Sequence, residues 1–168
     1  RLHEWGALDL DAGIEFALSQ HKGPVFVLGH SIGAQLCGLA PQATQLAGMI
    51  SVAGSFPCLS RWPLARRLPL SLLFQLTIPL LSALRPTFPA RRFGLGSFAL
   101  PSTVMRDWSR WILHENYLLE PRFGFDATAY AALQMPFFAL AFSDDPMVPE
   151  SAFDKLIAVY PGCATERR

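Results

Sequence analysis

The chain has 168 residues, 51% of them hydrophobic and 16% charged, with 14 Lys+Arg against 13 Asp+Glu. This is enough chain for one domain with a sizeable core, and the near-balanced charge excludes a nucleic-acid surface or an acidic interaction tail. Three scattered cysteines, Cys37, Cys58 and Cys163, exclude a disulfide framework and point to a reducing, cytoplasmic compartment; no cofactor or metal is expected.

Residues Leu2 to Leu18 follow a mostly helical apolar pattern, which predicts a helix from about Trp5 to Ser19 with Asp9 and Asp11 facing outward. Pro24-Val-Phe-Val-Leu then reads as a buried strand over 24–29, ending in Gly29-His30-Ser31-Ile32-Gly33 and opening directly into a helix over about 32–40. A serine on so tight a strand-to-helix turn is held in a strained conformation with its hydroxyl exposed, and residues two before and two after crowd its backbone. Glycine at both 29 and 33 is expected to meet that demand, leaving Ser31 as a candidate nucleophile and the Ile32 amide as an oxyanion donor.

A second strand is predicted over 47–53, so that two strands and one helix make a parallel crossover. From Pro57 to about Phe125 the composition shifts to frequent proline, three tryptophans and no strand-like alternation, and this segment reads as an inserted cap of short helices and turns within a single domain spanning 1–168. Inside it, residues 68–84 are nearly unbroken apolar chain flanked by Arg66, Arg67 and Arg85. Two prolines and several polar residues argue against a membrane span of ~20 residues, and a helix pair over an apolar pocket is preferred to contact with a membrane surface. Trp62, Phe74, Trp108, Trp111 and Tyr117 would together shape that pocket, each taken singly being expected as cap core before substrate contact, and His114 is expected at the cap surface or against substrate.

The crossover pattern resumes with a helix over 127–134, a strand over 136–142, the loop Ser143-Asp-Asp-Pro-Met-Val-Pro149 and a helix over 150–159. Two acids at the carboxyl end of a parallel strand sit where ligands bind in open α/β sheets. One of Asp144 and Asp145 is expected to face the site.

The elbow at Gly29–Gly33, followed by Asp145-Pro-Met-Val-Pro149, resembles the α/β-hydrolase superfamily, in which the acid follows a late core strand; the resemblance makes Asp145 the candidate catalytic acid and leaves Asp144 to cap the loop through nearby amides. Trp108-Ser-Arg-Trp111, Phe93-Gly-Leu-Gly96 and Ser143-Asp-Asp145 extend the resemblance to a bacterial group of capped hydrolases. The resemblance implies a partial α/β-hydrolase fold: a parallel sheet, helices on both faces and a helical cap over 57–125. It also implies a serine hydrolase acting through an acyl-enzyme on a lipophilic ester or thioester; an aspartate-nucleophile dehalogenase or epoxide hydrolase is excluded by serine at position 31.

The departure is the base. The family's histidine follows the acid, and no histidine follows Asp145; His30 adjoins the nucleophile at a variable elbow position and is expected to line the site rather than act as base. The chain opens inside a helical pattern and stops inside a strand pattern, so a strand bearing the second oxyanion donor is expected upstream, a histidine downstream, and little activity from these residues alone. The alternative is a noncatalytic hydrolase-like domain that binds a hydrophobic ligand or partner.

Overall fold

A computed structural model describes all 168 residues, which divide into two compact units: His3–Pro57 with Pro121–Arg168, and Cys58–Glu120 with Arg1–Leu2. The chain enters the first unit through a π-helical turn, Trp5–Leu10, which runs on into α1 (Asp11–Gln20). Then follow β1 (Phe26–His30), α2 (Ile32–Leu36), two 3-10 turns at Cys37–Leu39 and Pro41–Gln45, and β2 (Gly48–Val52). The second unit holds α3 (Leu64–Leu72), a π turn at Leu73–Thr77, α4 (Ile78–Leu84), β3 (Thr87–Phe88), β4 (Leu100–Pro101) and α5 (Ser102–Trp111). The chain returns to the first unit with α6 (Ala127–Ala131), β5 (Pro136–Leu140), α7 (Glu150–Ala158) and β6 (Ala164–Arg167).

In the first unit the four strands form a parallel sheet in the order β1-β2-β5-β6. Register runs Phe26 opposite Gly48, Met49 opposite Phe137 and Pro136 opposite Ala164, so neighbouring strands end level with one another. The ladder continues one residue past each strand: Ser31 N–H donates to Val52 O, Ala53 N–H to Leu140 O and Ala141 N–H to Arg168 O. Ser31, Ala53 and Ala141 therefore lie along one carboxyl edge. The core beside the sheet is built from Met49, Phe137, Phe153, Leu156, Tyr130 and Tyr160, all buried.

Several expectations change here. β1 is an edge strand, paired only with β2, and Phe26 and Leu28 are 58% and 67% exposed, so the run read as a buried strand shows alternate side chains to solvent. Asp11 does not simply face outward, because its Oδ1 accepts the Gln42 N–H at 2.7 Å and pins the 3-10 turn before β2 to α1. Leu8 and Phe16, counted among the apolar residues of that helix, are exposed. The 57–125 insertion also contains a strand pair, since β3 and β4 run antiparallel with Phe88 opposite Leu100.

Within the second unit, α4 packs on α5, and Phe74 meets Trp108 edge-on at 5.2 Å. Trp111 and Tyr117 pack edge-on at 5.6 Å and are buried, as are Trp62 and Phe74. These aromatics form the unit's own core, where a proline-rich segment without regular sheet must bury its surface against large side chains.

Candidate functional site

β1 delivers the chain to Ser31 at φ 50°, ψ −109°, a conformation outside the regions that L-residues favour, and α2 starts at the next residue. Of the three non-glycine residues with positive φ, Ser31 is the one placed directly between a strand and a helix. Such backbone costs ~1–3 kcal/mol and persists only where the surroundings over-determine it. Two constraints are visible. The Ser31 N–H is tied to Val52 O at 2.9 Å, and Gly29 lies so close under the new helix that a Cβ on it would fall 2.5 Å from Ala34 N and 2.7 Å from the Gly33 carbonyl carbon.

Gly33 is different. A Cβ there would meet nothing within 4 Å beyond the backbone of its own helix, so crowding inside this chain requires glycine at 29 but not at 33. Ser31 itself is half-buried, and Ile32, as the first residue of α2, has an amide with no acceptor inside the helix.

Two buried tyrosines hold the elbow helix from behind. The Tyr160 hydroxyl donates to Ala34 O at 2.7 Å and accepts from Gly38 N–H at 3.2 Å. It therefore sits between the two groups that an uninterrupted α-helix would bond to each other. Tyr130 donates to Gln35 O at 2.8 Å, and a Cβ on Gly38 would fall 2.4 Å from the Tyr130 ring. With Tyr160 inserted into its ladder, α2 stops at Leu36 and tightens to a 3-10 turn instead of running to residue 40 as one helix. Burial, then the neighbouring Tyr130 and Cys37, push the Tyr160 phenol well above its usual range despite the opposing Gly38 N–H, so it stays protonated and able to donate. Asp126 caps α6 by accepting from Thr128 N–H at 2.8 Å and Thr128 Oγ1 at 2.6 Å, which anchors the helix that presents Tyr130.

Asp145 leaves the same sheet edge after β5, one strand removed from the elbow strand, roughly 10 Å across two strand spacings. Its Oδ1 accepts Met147 N–H at 2.7 Å, and its own N–H donates to Phe142 O at 3.1 Å. The loop is thus held by Asp145 itself, not by Asp144, which is exposed. Asp145 Oδ2 is left without a hydrogen bond and can accept one from a base. A cleft of about 470 Å³ opens at this point, lined by Phe142, Asp145, Pro149, Phe153, Arg167 and others.

The structure thus places Gly29, His30, Ser31, Ile32, Gly33 and Asp145 on one edge of one unit. His30 ends β1 with an exposed side chain. His3 lies against Phe125 with ring centroids 5.3 Å apart, and His21 is exposed in the turn before β1. Trp108 and His114 are half-buried in the second unit. Trp111 and Tyr117, candidates for cap core or pocket wall, are interior packing there, with burial pushing the Tyr117 phenol well up. Tyr130 and Tyr160 carry the elbow and were not singled out from the sequence; the sole cue was glycine at 38, where a side chain would strike a ring. No group of three or more His, Cys, Asp or Glu is arranged to hold a metal ion.

Among solved structures of like fold, a soluble variant of monoglyceride lipase from Saccharomyces cerevisiae, in complex with a substrate analogue, aligns over 96% of this chain and 58% of its own length at TM-score 0.63 and 18% identity. A monoacylglycerol lipase from Paleococcus ferrophilus aligns over 97% and 65% at TM-score 0.50 and 10% identity. An alpha/beta fold family hydrolase from Bacillus anthracis aligns over 99% and 67% at TM-score 0.50 and 11% identity. The chain spans less than two thirds of the first of these structures. No curated protein matches it by sequence. The sequence model of the alpha/beta hydrolase family matches residues 1–166, and with the elbow and the parallel sheet already in place, the chain belongs to that family.

Proposed function

We propose that this chain carries the nucleophile and the acid of a serine hydrolase that cleaves esters or thioesters with apolar acyl groups. The observation that carries the reading is the Ser31 backbone, φ 50° and ψ −109°, between a parallel strand and a helix and braced from two sides. A serine in a structural turn has no need of that conformation, and its cost is repaid when the hydroxyl must project past the sheet edge.

In the proposed reaction a histidine from outside residues 1–168 takes the Ser31 Oγ proton, and the oxygen attacks the acyl carbonyl. The Ile32 N–H stabilises the resulting oxyanion. The base then returns the proton to the departing alcohol or thiol, and water releases the acyl group by the same steps. Asp145 Oδ2 orients the histidine; Oδ1 is already committed to Met147. The roughly 10 Å between the two strand ends leaves room for an imidazole between serine and acid. The apolar acyl group is favoured by the lipases of like fold, which are named for monoglyceride and monoacylglycerol.

The test is labelling of the intact protein with a serine-reactive fluorophosphonate. Labelling at Ser31 that disappears in Ser31→Ala supports the reading, and Asp145→Asn is then expected to lower kcat by about 10³–10⁴-fold on p-nitrophenyl acyl esters. A folded protein that neither labels nor turns over these esters overturns it in favour of the noncatalytic ligand-binding reading.

A further inference from the structure

In the second unit, α3, the π turn and α4 run on continuously from Leu64 to Leu84, 21 residues. One face is spent on the unit's core through Phe74, Ile78 and Ser82, all buried. The remainder shows Leu64, Leu68, Leu72, Leu76, Leu80 and Leu84, spaced by four and 54–80% exposed. Lone surface leucines are ordinary, but six in one row are not.

In a regular α-helix a four-residue step overshoots a full turn by about 40°, so such a row would wrap around the axis. The π turn at Leu73–Thr77 is wider and takes back part of that rotation, which keeps the row on one band. Its cause is local: Pro79 has no N–H to offer, and its ring would strike the Gln75 carbonyl of a regular helix.

Charge identifies what covers the row. From Cys58 to Met105 the chain has six arginines, at 61, 66, 67, 85, 91 and 92, and no Asp, Glu or Lys. Arg66 and Arg67 stand at the start of the row and Arg85 directly after its end, while Arg91 and Arg92 precede the exposed Phe93 and Phe98. Arg67 is held by the carbonyls of Trp62 and Ser60, contacts that fix its guanidinium without neutralising it. Arg61 is paired with Glu115 at 3.2 Å, and the positive charge of Arg85, Arg91 and Arg92 beside the leucine face complements an anionic lipid surface, with acyl chains below and phosphates at the rim.

We propose that the α3–α4 face is a docking surface for anionic bilayers. The helix lies in the interface with its leucines among the outer acyl carbons and the arginines at headgroup level. By length and composition the segment could cross a membrane. Its opposite face is occupied by Trp108 and the packing of α5, so it lies on the bilayer instead of spanning it. This surface is independent of the hydrolase reading, and Ser31→Ala is expected to leave binding unchanged.

The test is flotation of the intact protein with vesicles of phosphatidylcholine alone and of equal parts phosphatidylcholine and phosphatidylglycerol. Binding is expected to the mixed vesicles, to weaken with salt and to be much weaker on phosphatidylcholine. The triple variant Leu72→Gln, Leu76→Gln, Leu80→Gln should lose more than about tenfold in partitioning with its thermal unfolding unchanged. Arg85→Gln, Arg91→Gln, Arg92→Gln should remove the preference for the anionic vesicles. The proposal is overturned by absence of binding to either vesicle, by binding that survives the leucine variant, or by retention in membranes through carbonate extraction, which would mark a span. Self-association that the leucine variant dissolves, without vesicle binding, would overturn it in favour of a second copy of this chain.

Discussion

Two of the helices that depart from regular α geometry do so in opposite directions. Behind Ser31, α2 tightens to a 3-10 turn because a buried tyrosine hydroxyl from the far end of the unit occupies its hydrogen-bond ladder. Between α3 and α4 the helix instead widens to a π turn ahead of Pro79, which has no N–H to offer its ladder. The first deviation is imposed by tertiary contacts and holds a strained serine. The second is written locally and lays out an exposed row of leucines. Where packing fixes a deviation, substitutions should be costly, and where local sequence fixes it, surface substitutions should cost almost nothing.

The largest effect is expected at Gly29. In Gly29→Val the added Cβ meets backbone atoms of Gly33 and Ala34, which cannot swing aside, so the elbow cannot form as it stands. A loss of more than ~3 kcal/mol, or failure to fold, is expected in urea unfolding. Gly33→Ala is the control. Its methyl meets no atom outside the helix's own backbone, and alanine is the better helix former, so stability should hold or rise by up to ~1 kcal/mol. Equal losses at the two positions would show that the elbow constrains both glycines alike.

Phe74→Ala comes next, since the ring is buried against Trp108 within the second unit. A cost of about 3–5 kcal/mol is expected, which also disqualifies this position as a probe of surface binding. Tyr160→Phe follows at ~1–3 kcal/mol, because it strands both the Gly38 N–H and the Ala34 carbonyl in a buried place. Tyr130→Phe strands only the Gln35 carbonyl and should cost less. Reaction of Cys37 with iodoacetamide reports on the same region. Burial, then the nearby Cys163, push its thiol up to about 12, so below pH 9 the native protein should leave Cys37 unmodified, and any destabilised variant should expose it.

The elbow was legible because its requirements are local: strand, glycine, serine and helix are consecutive, and both the positive φ of Ser31 and the closeness of Gly29 to Ala34 follow from that order. The parallel pairing of β1, β2 and β5 followed from the same crossover pattern. What brings Tyr160 to Ala34 is a contact across 126 positions, which no window of sequence contains. β1 misled for a related reason. An apolar run reads as buried on both faces, whereas burial depends on what packs over each face, and the face carrying Phe26, Leu28 and His30 is exposed. Asp144 and Asp145 could not be separated by type, and the Asx turn to Met147 assigned the structural duty to the residue expected to do chemistry. Trp111 and Tyr117 fall on the cap-core side of the two readings open to them, for a segment poor in strands needs them as its interior.

The smallest expected effect bears most directly on the comparison. Leu72→Gln, Leu76→Gln and Leu80→Gln should each change the unfolding free energy by no more than about 0.5 kcal/mol, because these side chains already face water and glutamine keeps helix propensity close to that of leucine. A near-zero result two residues from a Phe74→Ala loss of several kcal/mol would separate the two faces of one helix into a face that folds the unit and a face that does not. An apolar residue that contributes nothing to folding still carries a cost in solubility, and six of them at regular spacing require a use outside the folded chain. If instead the glutamine variants destabilise by 2 kcal/mol or more, the leucines are part of the fold, the widened turn ahead of Pro79 serves packing, and the contrast between the two irregular helices disappears.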